Sequence, residues 1–512
     1  MAELTLDGGP LAIVDVVAVA RDGAEVHLSS EAAARMDTTR QIIEDVVADG
    51  ETVYGVTTGF GALAGVRVPD EDLEQLQRSL LRSHASGVGP PLPAEVVRAM
   101  MLLRARTLAT GYSGVRPLLA TRLLRFLNAR VHPIIPEQGS VGASGDLAQL
   151  AHLALPLIGE GWADIAGDTL DGAAALQSMG LEPLNLRPKE GLSLLNGTEA
   201  MLAVGCLAQA DAEKLAVAAD VISAMSLEAV LGTDRTFDPR LHEIRPHPGQ
   251  QKSAANLLRI LSGSKIVSSH RESDHAVQDA YSMRCTPHVH GAARDVIYFA
   301  RGVFERELAS VTDNPVVLAD TREVLSTGNF HGEPLGFALD FLASALSEFG
   351  SISERRTDRM LDPNHSSGLP AFLAHEPGLN SGFMLSQYTQ AALVAQNRIL
   401  SHPATVDTIP TSGSQEDHVS MGWNAALKLR SVVFNVSRIL AVEALCAAQA
   451  LEMRAPLRPA EATAAAIDAI RQIVAHLDSD RVLGPEIEAV AEEVLLSGVL
   501  SDRVARVTGE LA

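Results

Sequence analysis

Residues 198–230 read TEAMLAVGCLAQADAEKLAVAADVISAMSLEAV. Apolar residues recur through this stretch at helical spacing. A mean globular helix has about 11 to 12 residues, so a run of this length points to an extended bundle. Windows of the same kind cover 93–110, 116–129, 146–158, 292–310, 334–360, 383–400 and 422–454, and strand-like alternation is scarce. Hydrophobic residues make up 46% and aromatics only 4%, with Ala and Leu dominant, so helix formers outnumber strand formers. The fold expected is all-α. The helices are separated by Gly- and Pro-rich breaks: GVGPPLP at 87–93, IRPHPGQ at 244–250 and PATVDTIPTSGS at 403–414. Ala-rich faces on helices this long commonly pack against other subunits.

A formal charge of -22 with few lysines argues against a nucleic-acid partner. Cys206, Cys285 and Cys446 are odd in number and far apart, which makes no disulfide framework and fits a reducing cytoplasm. No basic and apolar leader opens the chain, and no window holds about 18 uninterrupted apolar residues, so neither secretion nor a membrane partner is expected.

Several segments carry chemistry. Residues 139–147 read GSVGASGDL, with Ser144 between the small residues Ala143 and Gly145 where a tight loop enters a helix. The order is not G-x-S-x-G, and no phosphate loop occurs anywhere. Tyr54 opens YGVTTGFGALAG, whose glycines suit either a structural loop or a catalytic lid. In VQDAYSMRC, Gln278, Tyr281 and Arg284 recur every third residue and share one face if helical; the arginine can grip a carboxylate with paired hydrogen bonds or sit in a structural ion pair. Asp146 and Asn196 stand at helix starts, either as plain caps or as parts of a site where unpaired N–H groups favour an anion. His84 lines a cavity or caps a helix, and Glu416 in QEDH offers a carboxylate beside an imidazole. Cys285, His288 and His290 lack the second ligand pair of a zinc site, so no metal is expected.

Together YGVTTGFG, RSHASGVGP, GSVGASGDLA, KEGLSLLNGTE, RPHPGQ, VQDAYSMRC, SVTDNPVV, GNFHGEP, SERRTDR and SQEDHVSMG, in that order, resemble the histidine and aromatic amino acid ammonia-lyase family, its histidine branch most closely. The resemblance runs from about 10 to 455 and implies a fumarase/aspartase-like fold. The helical windows from about 198 to 454 read as a long central bundle (201–455) after an N-terminal region (1–200) with the lid and reactive loop, and the acidic, amphipathic, chemically plain stretch 456–512 reads as peripheral C-terminal helices. In this family Ala-Ser-Gly closes on itself with loss of two waters, giving the electrophile 4-methylideneimidazol-5-one (MIO) from Ala143, Ser144 and Gly145, with no external cofactor. Tyr54 then becomes the β-proton base. Asn196 and Gln278 orient, Tyr281 bonds close to the substrate, Phe330 packs beside the electrophile, Asp146 supports ring closure and Arg284 binds the substrate carboxylate. His84 and Glu416 match the histidine-specific pattern, since buried imidazole nitrogens need partners. The implied reaction turns L-histidine into trans-urocanate and ammonia, the first step of histidine degradation, in a homotetramer whose chains share active sites. A phenylalanine or tyrosine lyase or a 2,3-aminomutase keeps the same scaffold, and an inactive helical scaffold is the remote rival. Gln149, where the family usually has proline, is a local departure.

Overall fold

The computed structural model describes residues 3–272 and 277–512. The long periodic windows are helices with nearly the expected bounds: Ala94–Ala109, Pro117–Asn128, Glu199–Ala229, Thr286–Ala309, Glu333–Leu361, Met384–Leu400 and Gly422–Glu452. Strands are short and few. Among the described residues they form a parallel pair (Glu3–Leu6 with Glu25–Leu28), two antiparallel pairs (Val88–Pro91 with Pro136–Gln138, Val316–Leu318 with Glu323–Leu325) and one three-stranded antiparallel sheet. The last pairs Trp162–Ile165 with both Val131–Pro133 and Asp168–Asp171.

Contacts divide the chain into two units. One gathers Met1–Ala210, Arg301–Asp340 and Pro403–Leu427; the other gathers Asp211–Ala300, Phe341–His402 and Lys428–Ala512. Long helices carry the chain away and return it, so neighbours in space are distant in sequence.

In the first unit, helix Ala94–Ala109 is buried on nearly every face. Gly205 lets helix Glu199–Ala229 approach Phe304: a Cβ there would lie 2.9 Å from the ring. In the second unit, Arg356 grips both oxygens of Glu443 (2.5 and 2.9 Å), and Ser226 donates to the same carboxylate (2.6 Å). This joins three long helices through a buried charge pair whose loss of one partner costs about 3–5 kcal/mol. Glu333–Leu361 and Gly422–Glu452 are long and apolar enough to cross a membrane by length and composition, yet 67% and 89% of their most apolar windows are buried inside the protein.

Candidate active site

The Ala143-Ser144-Gly145 turn lies between strand Pro136–Gln138 and helix Leu147–Ala154. Its backbone is left-handed at Gly142 (φ 75°), Ser144 (φ 44°) and Gly145 (φ 77°). For a residue with a Cβ, such as Ser144, that conformation costs on the order of 1–2 kcal/mol, so neighbours must impose it. They do so through the backbone. Gly142 N donates to Ser140 Oγ (3.0 Å), and that hydroxyl donates to Gly145 O (3.3 Å). Gly197 N donates to Ser144 O (3.2 Å), and Asp146 N donates to Gly197 O (2.7 Å). The two strands of this clasp are so close that a Cβ on Gly145 would stand 1.9 Å from Gly197 O. Only glycine fits there.

Asn196, almost fully buried, completes the clasp. The amide orientation that satisfies both its ends sets its nitrogen 3.2 Å from Ser144 O and lets its oxygen accept from Asn314 N (2.8 Å). The Ser144 carbonyl therefore faces two donors, the Gly197 N–H and the Asn196 amide. Two donors on one carbonyl oxygen stabilise negative charge developing there.

Behind this clasp lies a buried ionic layer. Arg104 Nη1 donates to Asn196 O (2.7 Å), and its Nη2 stands 2.6 Å from Glu199 Oε1, which also accepts from Thr107 (2.7 Å). Lys189 donates to Asp313 (3.0 Å) and Ser193 (2.9 Å). Sequence reading gave Arg104, Lys189 and Asp313 no role. The available signal was an arginine inside the apolar window 93–110, together with charges in the otherwise assigned KEG and TDNP segments.

Asp146 stands at the N-cap of the helix it precedes, but its side chain makes no capping hydrogen bond there. Its Oδ2 accepts from Met201 N (2.9 Å), in the first turn of Glu199–Ala229, while Oδ1 is buried with no partner of good geometry. Complete burial, aided by the nearby Glu199 charge and opposed by the Met201 N–H, pushes its pKa up to about 8. An unfolded aspartate loses its proton near pH 3.8, whereas the folded one keeps it to about 8. The folded state thus holds more protons across that interval, and this group's stabilisation, complete below about pH 4, drains away as pH rises to about 8. Asp146→Asn, which stays neutral, should gain in melting temperature relative to the parent as pH rises from 5 to 8. Thermal denaturation at the two pH values tests this, and a pH-independent difference would remove the argument.

Gln149 is buried as well, and its amide nitrogen donates to the carbonyls of Pro136 (3.3 Å) and Glu137 (3.2 Å). Trp423 Nε1 donates to the same Glu137 carbonyl (2.6 Å). The departure at this position therefore ties the first turn after the reactive loop to the strand before it.

Ala143 and Ser144 open into a cavity of about 310 Å³ that is also lined by Tyr54, Phe330, Glu416, Asn314, His331 and His418. Four expected site elements thus meet: the lid tyrosine, the turn, Phe330 and Glu416. A larger hollow of about 670 Å³ beside Arg35 and Arg106 contains none of these groups, so size does not locate the chemistry. Tyr54 packs edge-on to Phe60 (6.4 Å between centroids), and its hydroxyl accepts from Gly61 N (3.4 Å). Burial pushes the phenol above its ordinary pKa and the Glu416 charge adds to this, against the Gly61 hydrogen bond. Glu416 Oε2 accepts from Thr411 Oγ1 (2.7 Å). His84 ends helix Leu73–His84 and is not in the cavity lining, although the Glu416 charge reaches it. Burial lowers its pKa, more than the Leu80 hydrogen bond and Glu416 raise it. Its Nδ1 lies 3.0 Å from Leu80 O, an acceptor, so Nδ1 carries the proton and Nε2 keeps a lone pair.

Gln278, Tyr281 and Arg284 are not in this lining and belong to the second unit. The single face expected for them is not formed, because the helix is only Tyr281–Arg284 and Gln278 precedes it in a bend. Tyr281 is 71% exposed, with the Arg284 guanidinium 4.8 Å from its ring centroid. His290 Nδ1 lies 2.8 Å from the buried Asp220. His331, which the sequence left without a role, and His418, the imidazole beside Glu416 in QEDH, face each other at the cavity (ring centroids 5.9 Å), His331 Nε2 donating to His418 O (3.1 Å).

A helical scaffold that clamps an Ala-Ser-Gly turn beneath a tyrosine-bearing polar cavity defines a carbon–nitrogen lyase of fumarase/aspartase-like architecture. The aromatic amino acid lyase family matches over residues 11–472, and the chain belongs to it. A histidine ammonia-lyase of Gloeobacter violaceus is 52% identical over 508 residues, 99% of this chain and 98% of that one. The crystal structure of histidine ammonia-lyase from Trypanosoma cruzi superposes with a TM-score of 0.91 at 42% identity, covering 99% of this chain and 96% of that one. A tyrosine aminomutase of Streptomyces globisporus superposes with a TM-score of 0.93 at 38% identity over the whole of both chains.

Proposed function

We propose that this chain eliminates ammonia from L-histidine to give trans-urocanate, using an MIO group formed from Ala143, Ser144 and Gly145. The observation that carries this reading is the clasp: the turn is held left-handed, Gly145 has no room for a Cβ, and the Ser144 carbonyl faces two donors. Those features fit a ring closed through the Gly145 nitrogen and the Ala143 carbonyl carbon, and the buried Asp146 carboxyl, whose Oδ1 has no partner of good geometry, follows the turn directly in sequence. When formed, MIO supplies an electrophile toward the substrate amino group, a reactivity that ordinary side chains lack because they are nucleophiles.

The chain's own residues do the rest. Tyr54 removes the β-proton as the C–N bond breaks and the double bond forms. Asn196 and the Gly197 N–H hold charge on the Ser144 carbonyl. Phe330 covers one side of the cavity and excludes water. His84 and Glu416 answer the imidazole nitrogens, whose burial without partners costs about 1–3 kcal/mol. Arg284 takes the carboxylate in a two-point grip, with Tyr281 and Gln278 beside it. These three come from other subunits of a homotetramer in the cytoplasm, so an isolated monomer is inactive. The full-length likeness to a tyrosine aminomutase keeps one second reading in view, in which ammonia is re-added at the β-carbon.

Incubation with L-histidine, L-phenylalanine and L-tyrosine, with products separated by chromatography, tests the reading. Urocanate from L-histidine should form fastest. Faster turnover of either other amino acid overturns the substrate assignment, and a β-amino acid product replaces the lyase by the mutase.

A further inference from the structure

Two loops of the second unit bring together three side chains that the reaction does not use. His375 follows the short 3-10 turn Ala371–Leu373, and His476 and Asp478 follow helix Glu461–Arg471. One ligand atom of each lies within 4.8 Å of the others. The two Nε2 atoms are 3.0 Å apart. Two imidazole nitrogens on one tetrahedral zinc ion, each about 2.0–2.1 Å from it, stand roughly 3.3 Å apart.

The protonation of His476 follows from its neighbours. Its Nδ1 is 2.5 Å from Glu452 Oε2, and an ionised carboxylate only accepts, so Nδ1 carries the hydrogen. The lone pair is then on Nε2, toward His375. Gln449 agrees with this, since its amide nitrogen lies 3.1 Å from that Nε2 while also donating to Leu477 O (3.1 Å). Glu452 is itself fixed, accepting from Arg471 Nε and Nη2 (2.9 Å each). A carboxylate holding the far nitrogen of a ligand histidine sets the ring's tautomer and raises its basicity. The loops are also tied to each other. Ser381 N (2.7 Å) and Gly382 N (2.9 Å) donate to the Asp480 carboxylate, Asp480 N donates to Asn380 Oδ1 (3.0 Å), and Asn380 Nδ2 donates to His375 O (2.8 Å).

We infer that His375, His476 and Asp478 form a binding site for one divalent transition-metal ion, zinc best matching two imidazoles and a carboxylate, with Glu452 orienting His476. The Gln449 amide N–H releases the His476 Nε2 lone pair to the ion and keeps donating to Leu477 O. Three protein ligands leave a fourth position for water. The ion staples the 375–382 loop to the 476–480 loop, a stabilising role separate from the elimination, so the site stands or falls independently of the substrate assignment.

Calorimetric titration of the chelator-treated, full-length protein with zinc chloride tests this. His375→Ala and His476→Ala should each bind one zinc fewer per chain than the parent, and Glu452→Gln should weaken that site about tenfold or more. His375 is exposed, so its replacement leaves the core untouched. With cobalt chloride the parent should show the intense visible bands of a four-coordinate ion, absent from His375→Ala. Unchanged zinc stoichiometry and affinity in both histidine variants, or identical cobalt spectra of parent and variant, would overturn the assignment.

Discussion

Ser144→Ala should lose turnover of L-histidine by about a thousandfold or more, equivalent to about 4 kcal/mol or more of barrier. An α-amino group is a poor leaving group, a β-proton is weakly acidic, and the ordinary side chains lining the cavity are not electrophiles, so the proposed MIO group is the electrophile the substitution removes. The remaining side chains still position substrate, which leaves a residue of rate rather than none. The fold should survive. The clasp holds residue 144 through its carbonyl oxygen, and the left-handed φ of 44° weighs on alanine as it does on serine. Intact mass separates the causes: the parent should be lighter than its sequence by two waters, and the variant should match its own sequence. A parent of full sequence mass would show that no ring forms. Near-parental turnover by the variant would place the electrophile elsewhere.

The helices were legible because their periodicity is local. Apolar spacing alone ended one window at 230, where the helix ends at Ala229, and began another at 422, where the helix begins at Gly422. The reactive turn was legible for a different reason, its unusual composition. What could not be read were relations between segments remote in sequence. Asp146 sits at a helix start and looks like that helix's cap, yet its carboxylate serves Met201, which lies 55 positions on. Gly145 is glycine because Gly197 occupies its Cβ space, a fact no local pattern contains. Three-residue spacing suggested one face for Gln278, Tyr281 and Arg284, but a bend before Tyr281 cancels the periodicity on which such spacing depends. His331 and His418 join one cavity from positions 87 apart, so neither announced the other.

Tyr54→Phe should cost about a hundredfold to ten-thousandfold in kcat, the range for removing a positioned general base. The substitution deletes one oxygen. The edge-on contact with Phe60 remains, and the lost hydrogen bond from Gly61 N, at 3.4 Å, is a long one whose absence should cost under about 1 kcal/mol of stability. Because the turn and its clasp are untouched, the variant should still be two waters lighter than its sequence, unlike Ser144→Ala. The pH profile adds a sign. Burial and the Glu416 charge favour the neutral phenol, so the fraction able to accept a proton grows as pH rises, and kcat/KM of the parent should climb on the alkaline side. The slow residual rate of Tyr54→Phe should lack that climb. If the variant keeps turnover within a few-fold of the parent with the same alkaline rise, the base is another group, and the Glu416 carboxylate across the same cavity is the next to replace.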